Sequence, residues 1–264
     1  MRILITNDDG ITAPGLAAAE DIARNLAGPE GEIWVVAPAT ERSGVGHCIS
    51  YIHPMRIEER GPRRFAVEGA PADCVLAGLH HVLRGKAPDL LLSGVNRGYN
   101  VAEDTVYSGT IGAAIEGALH GVRSIAMSQY YGMENVNLPD PFAAARAHGP
   151  AIIRRLLEAA TWQDGPYGVF YNVNFPPLPA DQVKGLKATE QGARKGGGFG
   201  VKPEISPNGR EFLWVTHNAD NALAAQGSDA WESRDGYCTV TPLRANLTAR
   251  DVLADLGAAL KGAI

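Results

Sequence analysis

Long apolar runs are missing from this chain. No stretch approaches the roughly 20 apolar residues that span a membrane, and the N-terminus enters a strand-like segment at Arg2 without a basic leader region. Cysteine is scarce: Cys48, Cys74 and Cys238 lie far apart, cannot all pair within one chain and show no metal-ligand spacing. Reduced thiols and a cytoplasmic location are the simplest expectation. Positive charge is not in surplus either, with 24 Lys and Arg against 29 Asp and Glu for a net charge of −5. The surface as a whole therefore has no electrostatic reason to bind a nucleic-acid polymer or an anionic membrane, although a small site needs only local positive charge to take a nucleotide. No G-x-S-x-G elbow is present for a serine hydrolase. His, Cys and Glu show no zinc-site spacing, which argues against a zinc protease or a structural zinc. What is present is the balance of a folded protein, 45% hydrophobic and 20% charged over 264 residues. That is enough chain for one α/β domain with an appendage.

Strand-like and helical patterns alternate through the first two thirds. Arg2–Thr6, 33–37, 89–92 and 124–127 read as buried strands; Pro14–Ala27, 72–83 and 110–120 read as helices between them. In the last of these, Ile111, Ala114, Ile115, Ala118 and Leu119 fall on one stripe, which packs on a sheet. Such alternation predicts an α/β fold, a Rossmann-like three-layer sandwich around a mostly parallel sheet. A helix at 151–160 and a strand at 168–174, closed by Phe175-Pro176-Pro177, are expected to end the core near residue 180. Beyond it, short extended pieces at 211–216 and 237–241 surround a Gly-rich stretch at 195–200 and read as β-hairpin arms over 181–246. A final helix at 248–261, with Thr248 as a possible N-cap, could pack back on the sheet. No internal repeat is evident, so 1–264 is one domain.

In open α/β sheets ligands bind beyond the carboxyl ends of the strands, and those segments here are polar. After the first strand comes Asn7-Asp8-Asp9-Gly10, whose adjacent carboxylates repel unless a cation lies between them. A hard divalent ion suits such oxygen donors, and an ordinary turn suits the same residues. The second strand leads to a loop with Ser43-Gly44 and His47. Ser43 could offer a neutral oxygen to a metal or phosphate or be a turn residue, and His47 reads as a surface or second-layer group. The third ends in Ser93-Gly94-Val95-Asn96-Arg97-Gly98-Tyr99-Asn100, where Asn96 could coordinate through its carbonyl oxygen. The glycine spacing there does not match the dinucleotide fingerprint. Ser108-Gly109-Thr110 then opens a helix, whose free amides suit a phosphate, although Ser and Thr are also simply good caps. Asp104, between these segments, is a candidate for proton transfer. Three strand ends offering only oxygen ligands, beside two anion cradles, suggest phosphoryl transfer to water with a metal polarising the phosphate.

The blocks are recognisable in order. Ile3-Leu4-Ile5-Thr6-Asn7-Asp8-Asp9-Gly10-Ile11 followed by Ala13-Pro14-Gly15, then Val36-Ala37-Pro38 with Arg42-Ser43-Gly44, and Tyr107-Ser108-Gly109-Thr110-Ile111-Gly112-Ala113-Ala114, resemble the survival protein E (SurE) family of nucleotidases. Val173-Asn174-Phe175-Pro176 and Val240-Thr241-Pro242-Leu243 continue the likeness over nearly the whole chain. The resemblance implies a cytoplasmic enzyme that hydrolyses nucleoside 5′- and 3′-monophosphates, and in some members polyphosphate, working as a homodimer or homotetramer. It implies one divalent cation per subunit, Mg²⁺ or Mn²⁺, on Asp8, Asp9, Ser43 and Asn96, and places Asn100, Asp104, Ser108 and Thr110 around the phosphate. Asp8, Asp9 and Asp104 are then the candidates for the chemistry, and Asn7, Gly44 and Gly109 stand beside the phosphate contacts. Departures fall mostly in the arm, at Phe212-Leu213-Trp214-Val215-Thr216-His217 and Gln226-Gly227-Ser228-Asp229. Two rivals share the acidic pair. A receiver-like signalling module would be too short for this chain and would need an accepting Asp after a later strand, where Ser93 stands. A metal-dependent amide hydrolase would need a His where Asn7 stands.

Overall fold

The computed structural model describes residues 1–162, 165, 167–194, 198–217 and 224–261. In β1 (Arg2–Thr6), side chains alternate between two cores: Ile3 and Ile5 join one, Leu4 the other, and all three are fully buried. Leu90 and Leu92 are likewise divided from Leu91 in β5 (Leu90–Arg97). Strands buried on both sides need helices over both faces. Pairing α1 (Pro14–Ala27) with α5 (Ala143–Ala159) covers the Ile3 side, and pairing α2 (Pro71–Ala77) with α4 (Gly109–Leu119) covers the Leu4 side. Close approach of α1 to β5 depends on Gly15, because a Cβ there would sit 1.9 Å from the carbonyl oxygen of Val95.

The remaining strands of the main sheet are β2 (Glu32–Pro38), β3 (Ile57–Gly61), β4 (Arg64–Val67), β6 (Ser124–Gln129), β7 (Phe170–Phe175), β8 (Leu186–Ala188) and β11 (Cys238–Leu243). Their order is β3-β4-β2-β1-β5-β6-β7-β11-β8, parallel throughout except for the β3/β4 and β7/β11 pairs. A separate antiparallel hairpin joins β9 (Phe199–Ile205) to β10 (Glu211–His217). The chain builds outward from β1 through β2, then crosses to β5 on the other side of β1. This reversal opens a crevice at the carboxyl ends of β1 and β5. The mostly parallel Rossmann-like sandwich with a hairpin in its C-terminal third is thus observed.

Four details differ from the expectations. Of residues 181–246, β8 and β11 join the main sheet, so the core extends past residue 180 and only β9 and β10 stand out as an arm; 195–197 of the Gly-rich stretch lie outside the described residues. α5 starts at Ala143 rather than 151, carrying Pro150 inside it, because the Ala-rich turns before the proline are good helix formers. The hairpin of β3 and β4 has no sequence signal, since Glu58, Glu59 and Arg60 break the apolar run at this sheet edge. The last helix, α7, spans only Leu253–Ala259, has Val252 rather than Thr248 at its N-cap position, and is exposed along its whole length instead of packing on the sheet. Among the described residues no helix is long and apolar enough to cross a membrane.

Candidate active site

Hydrogen bonds tie the three polar strand ends into one unit. The backbone N–H of Arg42 donates to the carbonyl oxygen of Asp8 at 2.7 Å, fastening the Ser43 loop to the end of β1. The backbone N–H of Arg97 donates to Asp9 Oδ2 at 3.0 Å, fastening the end of β5. Thr110, in the first turn of α4, donates its hydroxyl to Asp8 Oδ1 at 2.6 Å. Gly109 lets this helix start press against the acidic loop: a Cβ there would lie 3.0 Å from both Asp8 Cβ and Pro71 Cγ. Ser108 caps α4, its hydroxyl accepting from the backbone N–H of Ile111 at 3.1 Å.

Both carboxylates are strained electrostatically. Burial pushes the Asp8 carboxyl up to about 6, against the stabilising Thr110 hydrogen bond and together with the charge of Asp9. Asp9 is also raised, by burial first, with the Arg97 amide and guanidinium opposing. Asn7 is fully buried; its Nδ2 donates to the Gly10 carbonyl at 2.9 Å, and its Oδ1 has no hydrogen-bond partner among the described residues. Asn96 spends its Nδ2 on the carbonyl of Gly98 at 2.9 Å, so the Oδ1 end is the one a cation would take. Ser43 is exposed and donates to Glu41 Oε1 at 2.9 Å. Two adjacent carboxylates that burial makes hard to ionise, with neutral oxygens around them, fit a hard divalent cation. Among the described residues no group of three or more His, Cys, Asp or Glu side chains could hold a metal. The candidate donors at this site are all oxygens, two of them neutral, unlike the Cys and His donors of a structural zinc centre.

A cavity of about 300 Å³ gathers Asp8, Ser43, Gly44, Asn96, Asn100, Asp104 and Ser108. Asn7, Gly109 and Thr110 sit outside its lining, and Asp9 stands beside it through Arg97, which does line it. Asn100 is largely committed to the sheet: its Nδ2 donates to Ser128 Oγ at 2.8 Å, its backbone N–H to Asn174 Oδ1 at 2.8 Å, and its carbonyl accepts from Asn172 Nδ2 at 2.7 Å. Asp104 opens the four-residue α3 (Asp104–Tyr107) and is ion-paired with Arg194, Oδ2 to Nη2 2.7 Å. Arg194 also reaches Glu103 Oε2 from Nε at 3.0 Å, and only 4% of its side chain is exposed. Burial alone would lower the Arg194 pKa, but the bonds to Asp104 and Glu103 outweigh it and hold the guanidinium above its usual value. Gly98, Tyr99, Tyr107 and Phe199 complete the lining; Tyr107 and Phe199 meet edge to face at 4.8 Å, so the base of the hairpin touches the site. Sequence reasoning missed Arg97, Arg194 and Phe199 as site residues. Arg97 stood inside a quoted block and was legible as local positive charge, whereas Arg194 carries no spacing signal.

Comparison with known proteins identifies the family. The family model described as survival protein SurE matches residues 3–197. A protein of Jannaschia sp. (strain CCS1) called 5′-nucleotidase SurE is 59% identical, over 99% of this chain and 100% of its own length. A protein of the same name from Ruegeria pomeroyi is 59% identical, over 98% of this chain and 100% of its own. The crystal structure of SurE protein from Aquifex aeolicus superposes with a TM-score of 0.80 at 35% identity, covering 98% of this chain and 99% of that one. This chain belongs to the SurE family.

Proposed function

We propose that the chain is a divalent-cation-dependent phosphomonoesterase that hydrolyses nucleoside 5′- and 3′-monophosphates to nucleoside and phosphate. The supporting observation is the meeting of Asp8, Ser43, Asn96 and the capped start of α4 in one cavity, in a chain whose full-length relatives are called 5′-nucleotidase SurE. Asp8, Asp9, Ser43 and Asn96 would hold one Mg²⁺ or Mn²⁺, which would supply Lewis-acid polarisation of the phosphoryl group and a more nucleophilic water. The chain's own residues do the rest. The Ser108-capped start of α4, with Arg97 in the cavity wall, gives the local positive potential that an overall acidic protein needs to hold a phosphate. Thr110 holds Asp8 in one orientation, and Asp104, braced by Arg194, faces the same cavity. The exposed apolar faces of β9 and β10 support assembly into a homodimer or homotetramer. Family membership favours this reading over an amide hydrolase or a receiver-like module.

Phosphate release from purine and pyrimidine monophosphates, 5′ and 3′ isomers compared, tests the activity, with and without Mn²⁺ or Mg²⁺ and with a chelator. Release should depend on the added cation. Asp8→Asn or Asp9→Asn should lower it by at least about a hundredfold, since outer-layer partners of metal ligands alone cost 10–100-fold. Neither change should lower the melting temperature of the metal-free protein, because each removes a charge that burial disfavours. Ser43→Ala and Asn96→Ala should weaken cation dependence less. Full activity in Asp8→Asn would remove the cation from this site.

A further inference from the structure

Next to the active-site cavity lies a second one of about 290 Å³, bordered chiefly by Tyr99, Val101, Tyr130, Ala230, Trp231 and Ser233. Two residues join it to the first: Tyr99 lines both, and Arg194, in the wall of the second, is the partner of Asp104 in the first. Three aromatic side chains line it, Tyr99 and Tyr130 meeting edge to face at 4.3 Å and Trp231 on α6 (Asp229–Arg234). That wall is fixed. The Asp229 carboxylate accepts from the backbone N–H of Ala102 at 3.2 Å and of Gly192 at 2.8 Å, latching α6 to the loop that carries Asn100 and Asp104. Arg194, Arg234, Asp235 and Ser233 are the polar and charged residues of the lining. Ser233 is 1% exposed and its Oγ has no hydrogen-bond partner among the described residues. A buried hydroxyl in that state calls for a partner that the described residues do not provide.

We propose that this cavity receives the base of the nucleoside monophosphate. The inference rests on the nucleotidase reading above and adds to it the residues that recognise the nucleoside. Aromatic walls suit the flat face of a base, because every base offers a π-surface for stacking. The volume is near the lower end of small-molecule sites, enough for one ring system and too small for a folded peptide or a nucleic-acid strand. The Ser233 hydroxyl meets a polar edge of the base, while the phosphate reaches the neighbouring cavity past Tyr99.

Trp231→Leu and Ser233→Ala test this, with kcat and KM measured on adenosine 5′-monophosphate and on ribose 5-phosphate, which has no base. Trp231→Leu should raise KM for the nucleotide about tenfold, within the range that loss of one stacked base gives. Its kcat should stay near wild type, because the lost contact is equally present in ground and transition states. Ribose 5-phosphate should be hydrolysed as by wild type. Ser233→Ala should raise the nucleotide KM less, by about threefold, without lowering the melting temperature, whereas a merely structural serine would destabilise when removed. Adenosine binding by calorimetry gives a readout independent of turnover, and Trp231→Leu should weaken it by a similar factor. Adenosine affinity equal in wild type and both variants, or a KM rise as large on ribose 5-phosphate, would overturn the assignment. Trp231-dependent adenosine binding in a protein that releases phosphate from no ester would defeat the phosphatase reading and leave the base pocket standing.

Discussion

Asp104 is held by a residue far along the chain, and that changes what it can do. A carboxylate engaged with Arg194 at 2.7 Å is placed to accept a proton or to orient the guanidinium; donating a proton to a departing ribose oxygen would require breaking the pair. Asp104→Asn should therefore slow hydrolysis about 10- to 100-fold, and by similar factors on a nucleotide and on an aryl phosphate with a good leaving group. Loss confined to the nucleotide would instead mark Asp104 as the general acid. Legibility at this scale follows the backbone. Asp8, Asp9, Ser43 and Asn96 stand at strand ends, where topology alone concentrates polar residues, so their proximity could be reasoned from the sequence. Arg194 approaches through the tertiary fold from an irregular segment, and no periodicity or motif marks a residue brought in that way.

Elements, rather than single residues, carry the link between the Ser43 loop and α4. Glu116 lies on the buried face of α4, with His47 Nε2 2.6 Å from its Oε2 and His120 Nε2 3.0 Å from its Oε1. His47 follows directly on the loop that carries Ser43 and Gly44, so this carboxylate clamps that loop to the helix whose start faces the cavity. The hydrogen bond from His47, against the opposing effect of burial and with help from imidazole charge on His47 and His120, holds Glu116 below its ordinary value of 4.5. A carboxylate lowered in the folded state adds stability that is present above its unfolded pKa and is lost as pH falls through the folded one. Glu116→Gln should cost about 1–2 kcal/mol at pH 7, and the gap from wild type should close only below pH 4.5 in denaturant titrations taken down to pH 3. A gap that stays constant across that range would assign the effect to packing. Core strands such as β1 and β5 were legible because burial on both faces writes a continuous apolar run. The start of α5 was not, because Pro150 reads as a helix boundary although the turns before it are helical. The polar β3 edge carried no run, and β4 only the short Phe65-Ala66-Val67.

At the scale of the whole molecule, the single chain leaves apolar surface that it does not cover. The pairing register puts Val201, Pro203 and Ile205 on one face of the hairpin with Leu213 and Val215, and Phe212 and Trp214 on the other. Both faces are exposed, Trp214 by 62% and Val215 by 68%. A two-stranded hairpin is marginal on its own in water, and this one has no third strand among the described residues. Leu253, Leu256 and Leu260 are also exposed at helical spacing on and just beyond α7, and a groove of about 480 Å³ with Ile111, Ile115, Leu119, Phe170 and Leu243 in its lining lies open beside α4 and β11. The sequence allowed the aromatic arm to be read as lacking a core of its own, but where its faces point depends on strand pairing that no local pattern specifies. Burial against a second copy removes this surface from water, and a closed twofold assembly does so without leaving an open chain of contacts. The intact protein should therefore sit at the mass of a dimer or tetramer in light scattering at micromolar concentration. Changing Phe212 and Trp214 together to Ser should shift it toward smaller species, while far-ultraviolet circular dichroism stays close to wild type because the main sheet does not involve the hairpin. Phe199, which touches Tyr107 at the cavity, is left in place so that a change in mass can be separated from damage to the site. A monomeric wild type, or a double variant of unchanged mass, would show that the hairpin is not what joins the subunits.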